Sequence, residues 1–207
     1  MKTRVLITAF DAFGGESINS ANEAVAQLNF KINNVEIFKL FVPTVFKKSS
    51  EAVIEAIEKI KPHCVLCIGE AGGRECITPE RVAINVEDAR IKDNEGNQPQ
   101  DKPIVSEAPA AYFSTLPIKS IVEELKRLCI KAEISNTAGT FVCNHLFYSV
   151  MHHISEKKLG TLAGFIHVPY LPEQANKKGL PSMTLDEIII ALETAITETI
   201  KATPMPL

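Results

Sequence analysis

Blocks of apolar residues alternate along the chain with polar, turn-forming segments. Short continuous apolar runs predict buried strands over residues 4–9, 64–69 and 162–167, and residues 35–42 are predicted to form a further strand. Apolar residues three and four positions apart predict amphipathic helices over residues 20–28, 48–60 and 116–129. A last, long helix is predicted to open at Thr184, where Thr184 and Glu187 have the spacing of a capping box.

Strands and helices that alternate in this order predict an α/β fold. We expect a three-layer α/β/α sandwich with an open, mostly parallel (mixed) twisted sheet, as a single domain over residues 1–207. Ser20 or Asn22 is expected to cap the first helix. The segment 87–106 is polar and lacks periodicity, which predicts a functional loop rather than packed structure.

Composition narrows the class of protein. The net charge of −3 gives no electrostatic reason to expect nucleic acid or a membrane surface as a partner. No apolar stretch has transmembrane length, and the apolar run of the first strand is too short for the hydrophobic region of a signal peptide. The five cysteines, an odd number mostly in apolar runs, predict reduced thiols and a cytoplasmic protein. In a strand Cys64 and Cys67 would point to opposite faces, so we predict no metal, and no cofactor is expected.

Cys143 stands where a turn meets a helix. Residues 132–135 predict a short strand, the polar residues and Gly139 that follow predict a turn, and helical spacing begins beyond Cys143. Backbone N–H groups at a helix start favour a thiolate and can hold an oxyanion. The position therefore predicts a nucleophilic cysteine on a strand–turn–helix elbow.

The chain offers five histidines as a base for this cysteine: His63, His145, His152, His153 and His167. His145 is two residues from Cys143 and faces another way on a helix. His167 ends a buried strand, where the catalytic groups of open sheets collect, and is the best-placed partner. Glu80, at a strand edge, is the candidate acid that would hold the imidazole tautomer. Spacing alone leaves three other acids open: Glu70, Glu87 and Asp88.

Several blocks of residues, in order and almost over the full length, resemble the pyroglutamyl peptidase I (pyrrolidone carboxyl peptidase) cysteine peptidases. They are residues 10–16 (FDAFGGE), 69–74 (GEAGGR), 80–85 (ERVAIN), 93–99 (DNEGNQP), 135–145 (SNTAGTFVCNH) and 167–174 (HVPYLPEQ). The resemblance implies an α/β/α sandwich and the removal of an N-terminal pyroglutamyl residue from peptides through an acyl-thioester. It also implies a homotetramer.

The same resemblance implies the site residues. A Cys-His-Glu triad falls on Cys143, His167 and Glu80. The lactam ring is expected between aromatic residues matching Phe10 and Phe13, beside Phe141 and Val142. Further positions fall where the family's loops approach the ring or the scissile carbonyl, and they are Asn19, Thr44, Glu70, Arg90 and Ile91.

The chain departs from the family pattern at a few positions. It has Ala9 and Ala12 where the family usually has Gly and Pro, Ser20 where Pro follows Asn, and Glu70 where Gln is usual. These departures leave a non-catalytic binding protein as one alternative function. A nucleoside-type phosphorylase is another, with Gly72-Gly73-Arg74 as a weak candidate for its phosphate cradle. Those glycines match neither the P-loop nor the dinucleotide fingerprint.

Overall fold

The computed structural model describes residues 2–29, 31–176 and 178–203. The strands in this part of the chain are β1 (Thr3–Phe10), β2 (Val35–Val42), β3 (Cys64–Glu70), β4 (Thr78–Pro79), β5 (Val82–Ile84), β6 (Ala111–Phe113) and β7 (Leu162–Val168). Five of them form the central sheet in the order β2-β1-β3-β7-β4. Only β4 runs antiparallel, against β7, so the sheet is mostly parallel as predicted.

Helices cover both faces of this sheet. The helices of the described residues are α1 (Ser20–Gln27), α2 (Lys48–Ile60), α3 (Ile118–Arg127), α4 (Val142–Glu156), α5 (Pro172–Ala175) and α6 (Leu185–Ala202). Val5 and Ile7 of β1 pack with α1, α3 and α6, whereas Leu6 and Phe10 pack with α2 and α4. The predicted α/β sandwich is confirmed.

The continuous apolar runs gave accurate bounds because central strands are buried on both faces. Cys64 and Cys67 of β3 join the cores on opposite sides of the sheet, as their spacing predicted. Burial raises the pKa of both thiols to about 12, so they are neutral. No helix of the described residues has the length and apolar character needed to cross a lipid bilayer.

Two local predictions were wrong. The first helix is capped by Asn19, whose Oδ1 accepts from the N–H groups of Ala21 and Asn22, and not by Ser20 or Asn22. Residues 132–135 do not form a strand. They make only isolated bridges, Ile77 with Ala132 and Glu80 with Ser135, because the neighbouring β4 is two residues long.

Candidate active site

The turn before α4 presents Cys143 at the second position of the helix. Gly139 has a φ of 76°, a conformation that glycine adopts without strain, and Phe141 at the N-cap is extended. No side chain caps the helix, and the N–H groups of Val142, Cys143 and Asn144 have no acceptor among the described residues. The elbow therefore offers free donors beside a thiol, as the sequence predicted.

Gly69 allows this thiol to lie directly over the end of the sheet. A Cβ atom on Gly69 would lie 3.1 Å from Cys143 Sγ and 2.7 Å from the ring of Phe165. In the register of β3 with β7, Gly69 is the neighbour of His167. The absence of a side chain at Gly69 thus leaves room for the sulfur above the two strands that position the imidazole.

His167 and Glu80 form a buried pair across the antiparallel edge of the sheet. The β4–β7 register places Thr78 opposite His167, and Glu80 follows β4 directly. His167 Nδ1 donates to Glu80 Oε1 at 2.7 Å, and both side chains are buried. The Nδ1–H bond leaves Nε2 as the nitrogen that can accept a proton.

The surroundings tune this pair in opposite senses. Burial by itself raises the pKa of Glu80, but the hydrogen bond and charge of His167 and the neighbouring Ser135 and Arg74 outweigh it and lower the pKa. Burial lowers the pKa of His167 below its usual range, although Glu80 partly offsets this. At neutral pH the acid is therefore ionised and the imidazole is neutral, which is the state required of a general base.

Burial opposes the thiolate that the helix start was expected to favour. It raises the pKa of Cys143 to about 12, and the negative charge of Glu80 adds to this effect. The substrate-free protein therefore holds a neutral thiol beside a neutral imidazole. A thiolate on Cys143 therefore requires an acceptor for its proton, and His167 lines the same cleft.

Cys143 and His167 line one cleft of about 480 Å³ at the carboxyl ends of the strands. Five of the predicted substrate-contacting residues also line it, and they are Phe13, Glu70, Arg90, Ile91 and Phe141. The rings of Phe13 and Phe141 lie 6.2 Å apart and form an aromatic wall. A flat, uncharged group fits this part of the cleft better than a charged one.

The other four predicted substrate residues lie behind the cleft surface, and their contacts with a ring stay predictions. Asn19 is committed to capping α1, and Thr44 donates through its hydroxyl to the Asp11 carbonyl at 3.0 Å. Phe10 packs in the core against Phe165, and Val142 is fully buried. These residues support the cleft from below.

The other candidate acids have different partners. Glu87 Oε2 accepts from His145 Nδ1 at 2.9 Å, away from the cleft. Glu70 Oε2 accepts from the Ser20 N–H at 2.7 Å and from Gln174. Asp88 lines the cleft, and its Oδ1 accepts from the Asp101 N–H at 3.4 Å. Of the four candidate acids, only Glu80 bonds His167 in the described residues. Sequence reasoning gave Arg74 only a weak place in a phosphate cradle and gave Tyr170 no role, yet Arg74 contacts Glu80 and Tyr170 lines the cleft.

Comparison with known proteins assigns the chain to a family. The family model described as pyroglutamyl peptidase matches residues 3–202. The chain belongs to the pyroglutamyl peptidase family. A pyrrolidone-carboxylate peptidase of Brevibacillus brevis is 57% identical over 97% of this chain and 94% of that protein. One from Thermoanaerobacter sp. (strain X514) is 56% identical over 93% and 96%.

Solved structures of pyroglutamyl peptidases share the fold. Pyroglutamyl peptidase I from Bacillus amyloliquefaciens superposes with a TM-score of 0.93 at 52% identity, covering 96% of this chain and 95% of that one. A mutant pyrrolidone carboxyl peptidase from Pyrococcus furiosus gives a TM-score of 0.94 at 42% identity, covering 98% and 100%. The resemblance seen in the sequence blocks is confirmed at the level of the family and the fold.

Two of the departures from the pyroglutamyl peptidase pattern meet in the structure. At the position where the resemblance implies a proline, which would have no N–H, the Ser20 N–H donates to the carboxylate of Glu70, which stands where the resemblance implies a glutamine. Burial raises the pKa of Glu70, and the hydrogen bonds from Ser20 and Gln174 oppose that shift. The added donor therefore compensates the added charge.

We expect Ser20→Pro to destabilise the protein by about 1–3 kcal/mol, because a buried carboxylate loses a charge-assisted hydrogen bond. In the Glu70→Gln background the same change should cost much less, since proline suits the first helical position. Urea unfolding of the four proteins gives the coupling energy directly. Equal costs of Ser20→Pro in both backgrounds would show that the two positions do not compensate each other.

Proposed function

We propose that this chain hydrolyses the bond after an N-terminal pyroglutamyl residue of peptides, with Cys143 as nucleophile, His167 as general base and acid, and Glu80 as the group that orients the imidazole. The observation that carries the proposal is the buried Glu80–His167 pair in a cleft shared with a thiol at a helix start. Family membership supports the reaction, and the aromatic wall of Phe13 and Phe141 supports the substrate.

The lactam ring explains the specificity in physical terms. Pyroglutamate has no charged amine, so it can enter an apolar slot without leaving an ammonium desolvated and unpaired. Ile91, 47% exposed, lies on the rim of the cleft and can cover the ring. The ring N–H and C=O require polar partners, since a site built for hydrogen bonds rejects analogues that lack them.

Acylation begins when Cys143 Sγ attacks the pyroglutamyl carbonyl carbon and its proton passes to His167 Nε2. The N–H groups at the start of α4 donate hydrogen bonds to the oxyanion that forms, and Arg90 on the cleft wall supports it. The imidazolium, stabilised by ionised Glu80, protonates the departing amine as the carbon–nitrogen bond breaks. The remaining species is an acyl-thioester on Cys143.

Deacylation repeats these roles with water as the nucleophile. His167 Nε2 removes a proton from the water as its oxygen attacks the thioester carbonyl. The oxyanion collapses, the carbon–sulfur bond breaks, and the proton returns from His167 to the sulfur. Free pyroglutamate leaves, and the neutral thiol is restored without any cofactor.

Chromogenic amides of pyroglutamate and of proline test the proposal, because they differ in the ring carbonyl and in the charge on nitrogen. We expect kcat/KM for the pyroglutamyl amide to exceed that for the prolyl amide by about 10³-fold or more. The rate should not depend on added phosphate. Comparable hydrolysis of both amides, or none of either, would contradict the proposal.

The two alternative functions give different outcomes in the same assay. A phosphorylase would need phosphate, but Arg74, its candidate ligand, is committed to Glu80, Thr78 and the Thr137 carbonyl. A non-catalytic binding protein would bind pyroglutamate without turning over the amide. We also propose that the chain is a single domain, that it is located in the cytoplasm and that it forms a homotetramer. Sedimentation of the purified protein tests the proposed homotetramer.

A further inference from the structure

We propose that Arg74 is a positioning residue of the catalytic pair, which holds Glu80 in place for His167 and ties both to the elbow that carries Cys143. This inference rests on the proposed function. It concerns a residue that lies outside the cleft surface and that no sequence motif singled out for catalysis.

The guanidinium of Arg74 joins three segments of the site. Its Nη1 donates to Glu80 Oε1 at 2.7 Å and to Thr78 Oγ1 of β4, and its Nη2 donates to the Thr137 carbonyl at 3.0 Å. Thr137 belongs to the turn that leads to Cys143. One planar side chain thus links the acid, the strand edge beside His167 and the elbow, a geometry that the forked guanidinium allows and an ammonium does not.

Glu80 depends on this contact more than an ordinary carboxylate does. Its Oε1 accepts from both Arg74 and His167, and its Oε2 is buried without a hydrogen-bond partner among the described residues. The side chain of Glu80 is fully buried, whereas that of Arg74 is 28% exposed. Together with His167 and Ser135, the fixed positive charge of Arg74 lowers the pKa of Glu80 and keeps the buried carboxylate ionised.

The glycines before Arg74 direct it toward Glu80. Gly73 has a φ of 93°, and a Cβ on Gly72 would lie 2.1 Å from the ring of Tyr170. The Arg74 N–H closes the turn by donating to the Ala71 carbonyl at 3.2 Å. The Gly-Gly-Arg block therefore forms a tight turn after β3 that returns the arginine over the sheet edge.

The charge of Arg74 acts on every member of the triad. Besides the larger effects of burial and of the Glu80–His167 bond, it lowers the pKa of Glu80 and of His167, and it opposes the rise that burial causes in the pKa of Cys143. The charged and titratable groups near His167 and the thiol come from the neighbouring strands, α4 and the cleft wall. They are Glu16, Cys67, Glu70, Arg74, Glu80, Asp88, Arg90, Cys143, Tyr170 and Lys178. Of these, Arg74 is the cation that is hydrogen-bonded to the acid.

Arg74→Met tests the inference through the pH profile of kcat/KM for a pyroglutamyl amide. Without the cation the imidazolium form of His167 becomes easier to form, so its pKa rises and the acid limb of the profile moves up by about one pH unit. We expect kcat to fall about 10- to 100-fold as the pair loses its alignment. KM should stay near the wild-type value, because Arg74 does not line the cleft.

Arg81→Met is the matched control. Arg81 Nε donates to Asn136 Oδ1 at 2.7 Å, so this arginine also contacts the turn before Cys143, but it does not bond Glu80. Its loss should leave the acid limb in place. Arg74→Lys, which keeps the charge and loses the fork, should restore the position of the acid limb while kcat stays below the wild-type value.

The inference would be overturned if the acid limb had the same position in the wild type, Arg74→Met and Arg81→Met. It would also be overturned if the two methionine variants shifted the acid limb equally. If Arg74→Met does not fold, Arg74→Gln removes the charge while keeping an amide donor, and the same profile decides. Failure of the wild type to hydrolyse the amide would instead overturn the proposed function, so the two failures are distinguishable.

Discussion

Cys143→Ser should lower kcat/KM for a pyroglutamyl amide by about 10⁴-fold or more, because removal of the nucleophile of a triad abolishes most of its catalysis. The exchange of sulfur for oxygen adds no charge. Since burial raises the pKa of Cys143 to about 12, a neutral thiol is replaced by a neutral hydroxyl. The thermal unfolding temperature should therefore stay near that of the wild type while the rate, measured as released amine, collapses.

Cys129→Ser is the control for this experiment. Cys129 is an exposed cysteine that does not line the cleft, so its replacement should leave the rate unchanged. Wild-type enzyme should also release a burst of amine equal to the enzyme concentration if deacylation is the slower step. A Cys143→Ser protein that is folded and keeps a tenth of the wild-type rate would show that another group attacks the carbonyl.

The long elements of the fold could be predicted because each carries its signal locally. The strands β1, β3 and β7 are covered on both faces, so their sequences are continuously apolar, and α6 begins with a capping box that the structure confirms. The short elements could not be predicted in this way. Both β4 and β6 have only two or three residues, and their pairing depends on distant segments rather than on any periodicity.

The residues of the candidate site also differ in whether a local pattern in the sequence could predict them. Cys143 and His167 end or begin long elements, so topology nominated them, and Phe13 and Phe141 followed from the resemblance. The choice of Glu80 over Glu70 or Glu87 depends on the register of a two-residue strand against β7, which no local pattern reveals. The resemblance was needed at that point.

Properties set by packing were also beyond the sequence. The raised pKa of Cys143 arises mainly from burial, and neither the proximity of Phe165 nor the gap left by Gly69 can be read from a helix start. Arg74 gave no signal beyond its place after two glycines, because its three acceptors come from separate segments of the chain. Electrostatic tuning of a site follows from such long-range contacts.

Glu80→Gln should lower kcat/KM by about 10³- to 10⁴-fold, by analogy with amide replacement of the acid in serine triads. The imidazolium that forms during acylation would lose its counter-ion, and the charge of Arg74 would remain uncompensated beside it. Because the Glu80 charge raises the pKa of His167, its removal should lower that pKa further. The residual acid limb should therefore move to lower pH, opposite in sign to the shift expected for Arg74→Met.

Glu87→Gln separates this effect from the general cost of losing a buried carboxylate–histidine bond. The Glu87–His145 bond, at 2.9 Å, resembles the Glu80–His167 bond, at 2.7 Å, but neither Glu87 nor His145 lines the cleft. Both variants should be less stable in urea unfolding, and only Glu80→Gln should lose most of its activity. If the two variants lost activity equally, the importance of Glu80 would lie in packing, because an orienting role predicts a large difference between two otherwise similar pairs.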